Sequence, residues 1–182
     1  MKTIDMALGD ISPDWTGSTP NEVEIAKKLL KYQGTPQAVA YFAKHQNKLG
    51  DYWYWFLLST LWVNYNGFSD IRTWKRLFSS KRPNRHTSIM KPSEVAAFAK
   101  LPELVIAWRS HRQGEMDWIA YTLEPEKAME FASRRGVDEI KGYKIPATAL
   151  LALFLRRGES EVLLLDRSQA IHVAAITIPK IA

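Results

Sequence analysis

Glu159 and Glu161 stand two residues apart in the stretch RRGESEVLLLD, residues 156–166, just ahead of an apolar run that reads as a buried strand. In an extended chain, side chains two apart point to the same face, which brings both carboxylates into one space roughly 6 to 7 Å apart along the strand. Two acids converging there form a candidate active site. Charged residues at a strand entrance are also commonly no more than solvated. Arg109, which ends an alternating run, and Thr122, which leads from a second such run into a helix, are the other chemical candidates.

The elements that must position these residues fall into two halves. Thr19, Pro20 and Glu22 form a capping box ahead of Val23, Ile25, Ala26, Leu29 and Leu30, and Gly34 ends the run. Thr35 and Pro36 open a second helix with Val39, Phe42 and Ala43 as its buried stripe. DYWYWFLLSTLWVNYNG, residues 51–67, is apolar nearly all round, so it is expected to be the central helix of this half. A fourth helix is expected from Ser69, burying Ile71, Trp74, Leu77 and Phe78, and a short fifth from Ser93 to about Leu101. After Pro102 the period becomes two: LVIAWRS (104–110) and WIAYTL (118–123) read as strands, the second placing Trp118, Ala120 and Thr122 together. LEPEKAMEFASRRG reads as a helix from Pro125 to Gly136 burying Ala128, Phe131 and Ala132, and GYKI, ALLALF, EVLLL and HVAAITI as further strands. The expected class is α+β, with a helical region (1–101) and a small, mainly antiparallel sheet region (102–182) packed as one compact unit.

Composition narrows the function. With 46% hydrophobic and 24% charged residues and no long apolar run, the chain is expected to be soluble and cytoplasmic, without a membrane partner. It has no cysteine, and its four histidines form no close pair at ligand spacing, so no metal site is expected. The net charge of +6 is concentrated: Arg72, Lys75, Arg76, Lys81, Arg82 and Arg85 have no acid among them, and the remaining 19 basic residues equal the 19 acidic ones.

In order along the chain, LPELVIAWRS, WIAYTLEPEKAMEFASRRG and ALLALFLRRGESEVLLLD resemble the mono-ADP-ribosyltransferases of the arginine, serine-threonine-serine, glutamate class, particularly their short phage-encoded members. The resemblance covers mainly residues 101–166. It implies a split β-sandwich that binds NAD as co-substrate and transfers ADP-ribose to a macromolecular acceptor, in many members a protein arginine. Glu161 then aligns with the glutamate that contacts the ribose hydroxyl and the developing oxocarbenium ion, as in glycoside cleavage. Glu159 would hold and deprotonate an incoming guanidinium, its alternative being a solvated loop acid. Arg109 would bind phosphate or ribose oxygens, its alternative being an ordinary ion pair. Ala120-Tyr121-Thr122 departs from the family's middle motif, since its first serine is replaced by Ala120. Thr122 remains, with Ser110 or Tyr121 as substitutes for the lost hydrogen bond. Phe131 and Trp118 are candidate stacking partners for nicotinamide, the helical spacing of Phe131 favouring a core position. His111 would face the cleft or sit in an exposed turn.

The basic stretch RTWKRLFSSKRPNRH carries a second reading. Its cations, interleaved with Trp74, Phe78 and His86, suit an acidic partner, whether nucleic acid or a protein surface. Helical spacing favours Trp74 and Phe78 as a buried pair beneath a solvated basic face. The segment would then dock the acceptor of a transferase, or serve a non-catalytic protein of the same fold.

Overall fold

The computed structural model describes residues 10–65 and 70–178. They form an α+β fold of seven α-helices and a six-stranded antiparallel sheet. The chain divides into two compact units, Met1–Ala96 and Ala97–Ala182. Among the described residues no helix is long and apolar enough to cross a membrane.

The first unit contains α1 (Pro20–Lys31), α2 (Pro36–His45), α3 (Asp51–Asn64), α4 (Ile71–Phe78), α5 (Arg85–Ile89) and all but the last two residues of α6 (Pro92–Phe98). The expected capping box opens α1: the Thr19 hydroxyl accepts from the Glu22 amide, and the Glu22 carboxylate accepts from the Thr19 amide at 2.7 Å. The same buried carboxylate accepts from the Gly50 amide at 2.9 Å, so one acid serves the heads of α1 and α3. Of the apolar residues of α1, Ile25, Ala26 and Leu29 form the buried stripe, and Val23 and Leu30 are exposed. α3 is buried on several sides through Tyr54, Trp55, Leu57, Leu58 and Leu61. Its polar atoms are satisfied, with Tyr54 Oη donating to the Leu77 carbonyl (2.7 Å) and Trp55 Nε1 to the Pro83 carbonyl (3.0 Å).

Three helices are bounded differently from the sequence reading: α3 ends at Asn64, α4 begins at Ile71, and α6 ends at Phe98 instead of near Leu101. Gly67, the expected end of α3, and Ser69, the expected start of α4, lie outside the described residues; the observed cap of α4 is Asp70, whose side chain accepts from the Arg72 amide. α5 was not expected, since its five residues are too few to show a helical period. Asn84, in the left-handed region at φ 56°, introduces it. Trp74 and Phe78 are fully buried and stack with centroids 5.9 Å apart, so neither is open to a base. Arg82 is likewise withdrawn from the basic surface. Its guanidinium lies over the Tyr54 ring and donates to the carbonyls of Leu49 and Gln46 and to Asp51.

The second unit is built on β1 (Leu104–Arg109), β2 (Ala120–Thr122), α7 (Pro125–Arg135), β3 (Glu139–Pro146), β4 (Ala152–Phe154), β5 (Glu161–Leu163) and β6 (Ile171–Thr177). The sheet order is β4-β5-β2-β1-β3-β6. Register sets one row of side chains across it: Phe154 opposite Glu161, Glu161 opposite Thr122, Thr122 opposite Trp108, and Trp108 opposite Gly142. Directly paired residues share a face. On this face Trp108 packs with α7, whose Ala128 and Ala132 form a buried cluster with Ile140 of β3. The opposite face presents Val105, Ala107, Tyr143 and Ile145, all buried.

Gly142 is required by close approach. A Cβ built there would lie 2.9 Å from the Trp108 ring, whose edge crosses the β3 backbone. Gly142→Ala should displace the indole and loosen α7, lowering unfolding stability by about 1–3 kcal/mol. Urea denaturation monitored by tryptophan fluorescence checks this; unchanged stability would show that the indole moves without cost.

Candidate functional site

The strand alternation separates the expected site residues onto two faces. With Trp108 opposite Thr122, Arg109 falls beside Tyr121, and both point away from the face that carries Thr122 and Glu161. The sheet brings Thr122 and Glu161 together and does not place Arg109 or Tyr121 with them.

On the Arg109 face, each guanidinium nitrogen makes a hydrogen bond. Nη2 and Nε donate to the two Glu115 oxygens at 2.5 and 3.1 Å, and Nη1 donates to the Ala120 carbonyl at 2.7 Å. Arg109 thus joins the end of β1 to the start of β2, and its fork is not open to phosphate. His111 is no exposed turn residue. Its Nδ1 lies 3.0 Å from Glu115 and its Nε2 2.8 Å from Tyr143 Oη. Trp118 precedes β2 instead of continuing it, and its ring meets His111 and the Arg167 guanidinium, so it belongs to this cluster and not to the Thr122 face. Tyr121 Oη and Trp118 Nε1 are buried without a hydrogen-bond partner among the described residues. Burial pushes the Tyr121 hydroxyl up to about 12.

On the other face, Thr122 accepts from the Glu124 amide at 3.1 Å, which shapes the entry to α7. The Glu124 carboxylate accepts from Ser160 Oγ at 2.5 Å, and the Leu123 amide donates to the Ser160 carbonyl at 2.9 Å. These bonds clamp the residue between Glu159 and Glu161 to the head of the helix. Glu159 is extended at φ −120°, ψ 145° and half-buried, in line with the same-face reading of the two acids. Pro125 begins α7 and Gly136, at φ 66°, ends it, as their residue types dictate. Phe131 is half-buried and not a core residue. One turn further, the Arg135 guanidinium lies 5.5 Å from its ring centre and donates to the carbonyl and hydroxyl of buried Ser110. The Ser110 oxygens are thus tied to α7 through Arg135. Burial, together with the charges of Arg109 and Arg112, pulls Arg135 down to about 10.

Sequence reasoning missed Glu115, Tyr143, Glu124 and Arg135. Only Arg135 carried a local signal, its i, i+4 spacing from Phe131; the others meet their partners through turns and strand pairing. Among the described residues no group of three or more acids or histidines is arranged to hold a metal ion. Comparison of the chain with protein-family models, curated proteins and solved structures finds no match.

The Glu115 cluster has a pH signature. Burial pushes its carboxyl up, but hydrogen bonds and charge from His111 and Arg109 outweigh this and hold it at about 2. Both side chains of the Arg109 pair are only 14% exposed. A depressed carboxylate contributes stability that is present above its unfolded value near 4.5 and lost as pH falls toward 2; here the contribution is about 3 kcal/mol. The stability difference between wild type and Glu115→Gln, measured by urea denaturation, should therefore be largest near neutral pH and shrink between pH 4.5 and 2. A difference independent of pH would contradict the assignment.

Proposed function

We propose that the chain is an NAD-dependent mono-ADP-ribosyltransferase acting on a macromolecular acceptor, with protein arginine the acceptor best suited to the paired acids. The resemblance of the three segments supports this reading, and one structural observation carries it: Thr122 lies directly opposite Glu161 on the strand pair that Ser160 and Glu124 clamp to α7. Cross-strand Cβ atoms lie about 4.5–5.5 Å apart, so the Thr122 hydroxyl, whose oxygen already accepts from the Glu124 amide, can donate its proton to Glu161.

The donor set suits NAD. Glu161 offers an acceptor to a ribose hydroxyl and negative charge to the oxocarbenium ion, Phe131 an aromatic face to the nicotinamide, and Arg135 a cation not committed to a carboxylate among the described residues. As the bond to nicotinamide breaks, its electron pair leaves with the ring nitrogen. Positive charge on the sugar is stabilised by Glu161. The acceptor nitrogen then bonds to the anomeric carbon and gives up a proton to Glu159. Arg109 acts as a positioning residue, holding the Ala120 carbonyl at the head of β2. Ala120 is on the same face as Thr122 and diagonal to Glu161, so the missing serine removes one of two hydroxyls aimed at that acid. The basic segment supplies the docking surface through its cations other than Arg82.

Incubation with labelled NAD and a bacterial lysate should give a labelled acceptor, and Glu161→Gln should lower turnover by about 100-fold or more without altering the melting temperature. Glu159→Ala should remove transfer while retaining slow NAD hydrolysis. Label undiminished by Glu161→Gln would refute the role of Glu161.

A further inference from the structure

The two acids of the candidate site are held by different means. Glu161 is inside the sheet, paired with Thr122 of β2 on one side and Phe154 of β4 on the other. Glu159 lies ahead of β5, where the chain has just turned through Arg157 and Gly158, both in the left-handed region at φ 63° and 69°. Its amide donates to the Arg156 carbonyl at 3.4 Å, a bond that stays within the turn. A tie to the head of α7 comes one residue later, where Ser160 Oγ donates to Glu124 at 2.5 Å and the Leu123 amide donates to the Ser160 carbonyl. Glu124 is the N-cap of α7, a position whose side chain ordinarily accepts from the first amides of its own helix. Its carboxylate makes no such cap bond and is turned to Ser160 instead. It also adds a third negative charge beside Glu159 and Glu161, which costs repulsion. A residue that neither caps its helix nor relieves charge is placed for its bond to Ser160.

We propose that Glu124 is a positioning residue for Glu159: through Ser160 it holds the acid that takes the acceptor's proton, and so sets how ADP-ribose is divided between a macromolecular acceptor and water. This role rests on the transferase reading above. Without the bond to Ser160 the turn is released and Glu159 drifts from the incoming guanidinium. Glu161 keeps its strand partners on both sides. Cleavage of the bond to nicotinamide then falls less than transfer does, and water takes the place of the acceptor nitrogen at the anomeric carbon.

Two measurements on Glu124→Ala, Ser160→Ala and Glu124→Gln test this. In amide hydrogen exchange without NAD, both alanine variants should speed exchange of the Leu123 amide about tenfold, while residues 161–163 keep their wild-type protection. With labelled NAD and a bacterial lysate, both should lower the ratio of labelled acceptor to free ADP-ribose about tenfold, the effect of one hydrogen bond to a charged group. The double alanine variant should lower it no further, since both changes remove the same bond. Glu124→Gln, whose amide oxygen still accepts from Ser160, should restore most of the ratio. Unchanged exchange at Leu123, an unmoved ratio, equal loss of transfer and hydrolysis, additive losses in the double variant, or a Gln variant as impaired as the Ala variant would each overturn the proposal. A wild type that releases no nicotinamide would refute the transferase reading and the proposal with it, whereas an active wild type with an unmoved ratio refutes the role of Glu124 alone.

Discussion

The Trp108 indole lies across Gly142, and the candidate site depends on that contact. It has no room for a Cβ, so it fixes where the ring sits on the sheet. The ring in turn packs against the α7 side of the Ala128, Ala132 and Ile140 cluster. α7 carries Phe131 and Arg135, and its entry turn engages Thr122 and Ser160. A backbone approach on β3 thus sets the position of side chains two and three strands away. The same row of paired residues contains both the contact and the acid, Glu161.

The second organising constraint is the two-residue period of a strand. One step along β1 separates Trp108 from Arg109, and with it the face under α7 from the face that holds Glu115, His111 and Tyr143. Arg109 becomes an internal tie, with three of its five N–H groups bonded to Glu115 and Ala120. A guanidinium paired bidentately with a carboxylate is well suited to positioning the chain. Arg135 is the contrasting case, bonded to neutral oxygens of Ser110 beside other cations.

What could be read from the sequence follows the range of the interactions involved. The capping box at Thr19 and Glu22, the Pro125 start and the Gly136 stop of α7 are decided within a few residues, and they appear where the residue types put them. The two periods also separated helices from strands. Strand order, and hence the pairing of Thr122 with Glu161, depends on chain segments some forty residues apart that no local pattern encodes. The partner of Arg109 was hidden for a similar reason: Glu115 returns to it through a turn at Gly114, where neither a helical nor a strand period operates. Arg82 counted as surface charge by composition, yet it is consumed by two backbone carbonyls, Asp51 and the Tyr54 ring.

The proposed function requires NAD on the Thr122 and Glu161 face. Amide hydrogen exchange with and without millimolar NAD locates the ligand without requiring turnover. Bound NAD should slow exchange in residues 123–131 and 156–161 and leave residues 72–86 unchanged. No change in the first two segments, or protection confined to residues 72–86, would contradict it.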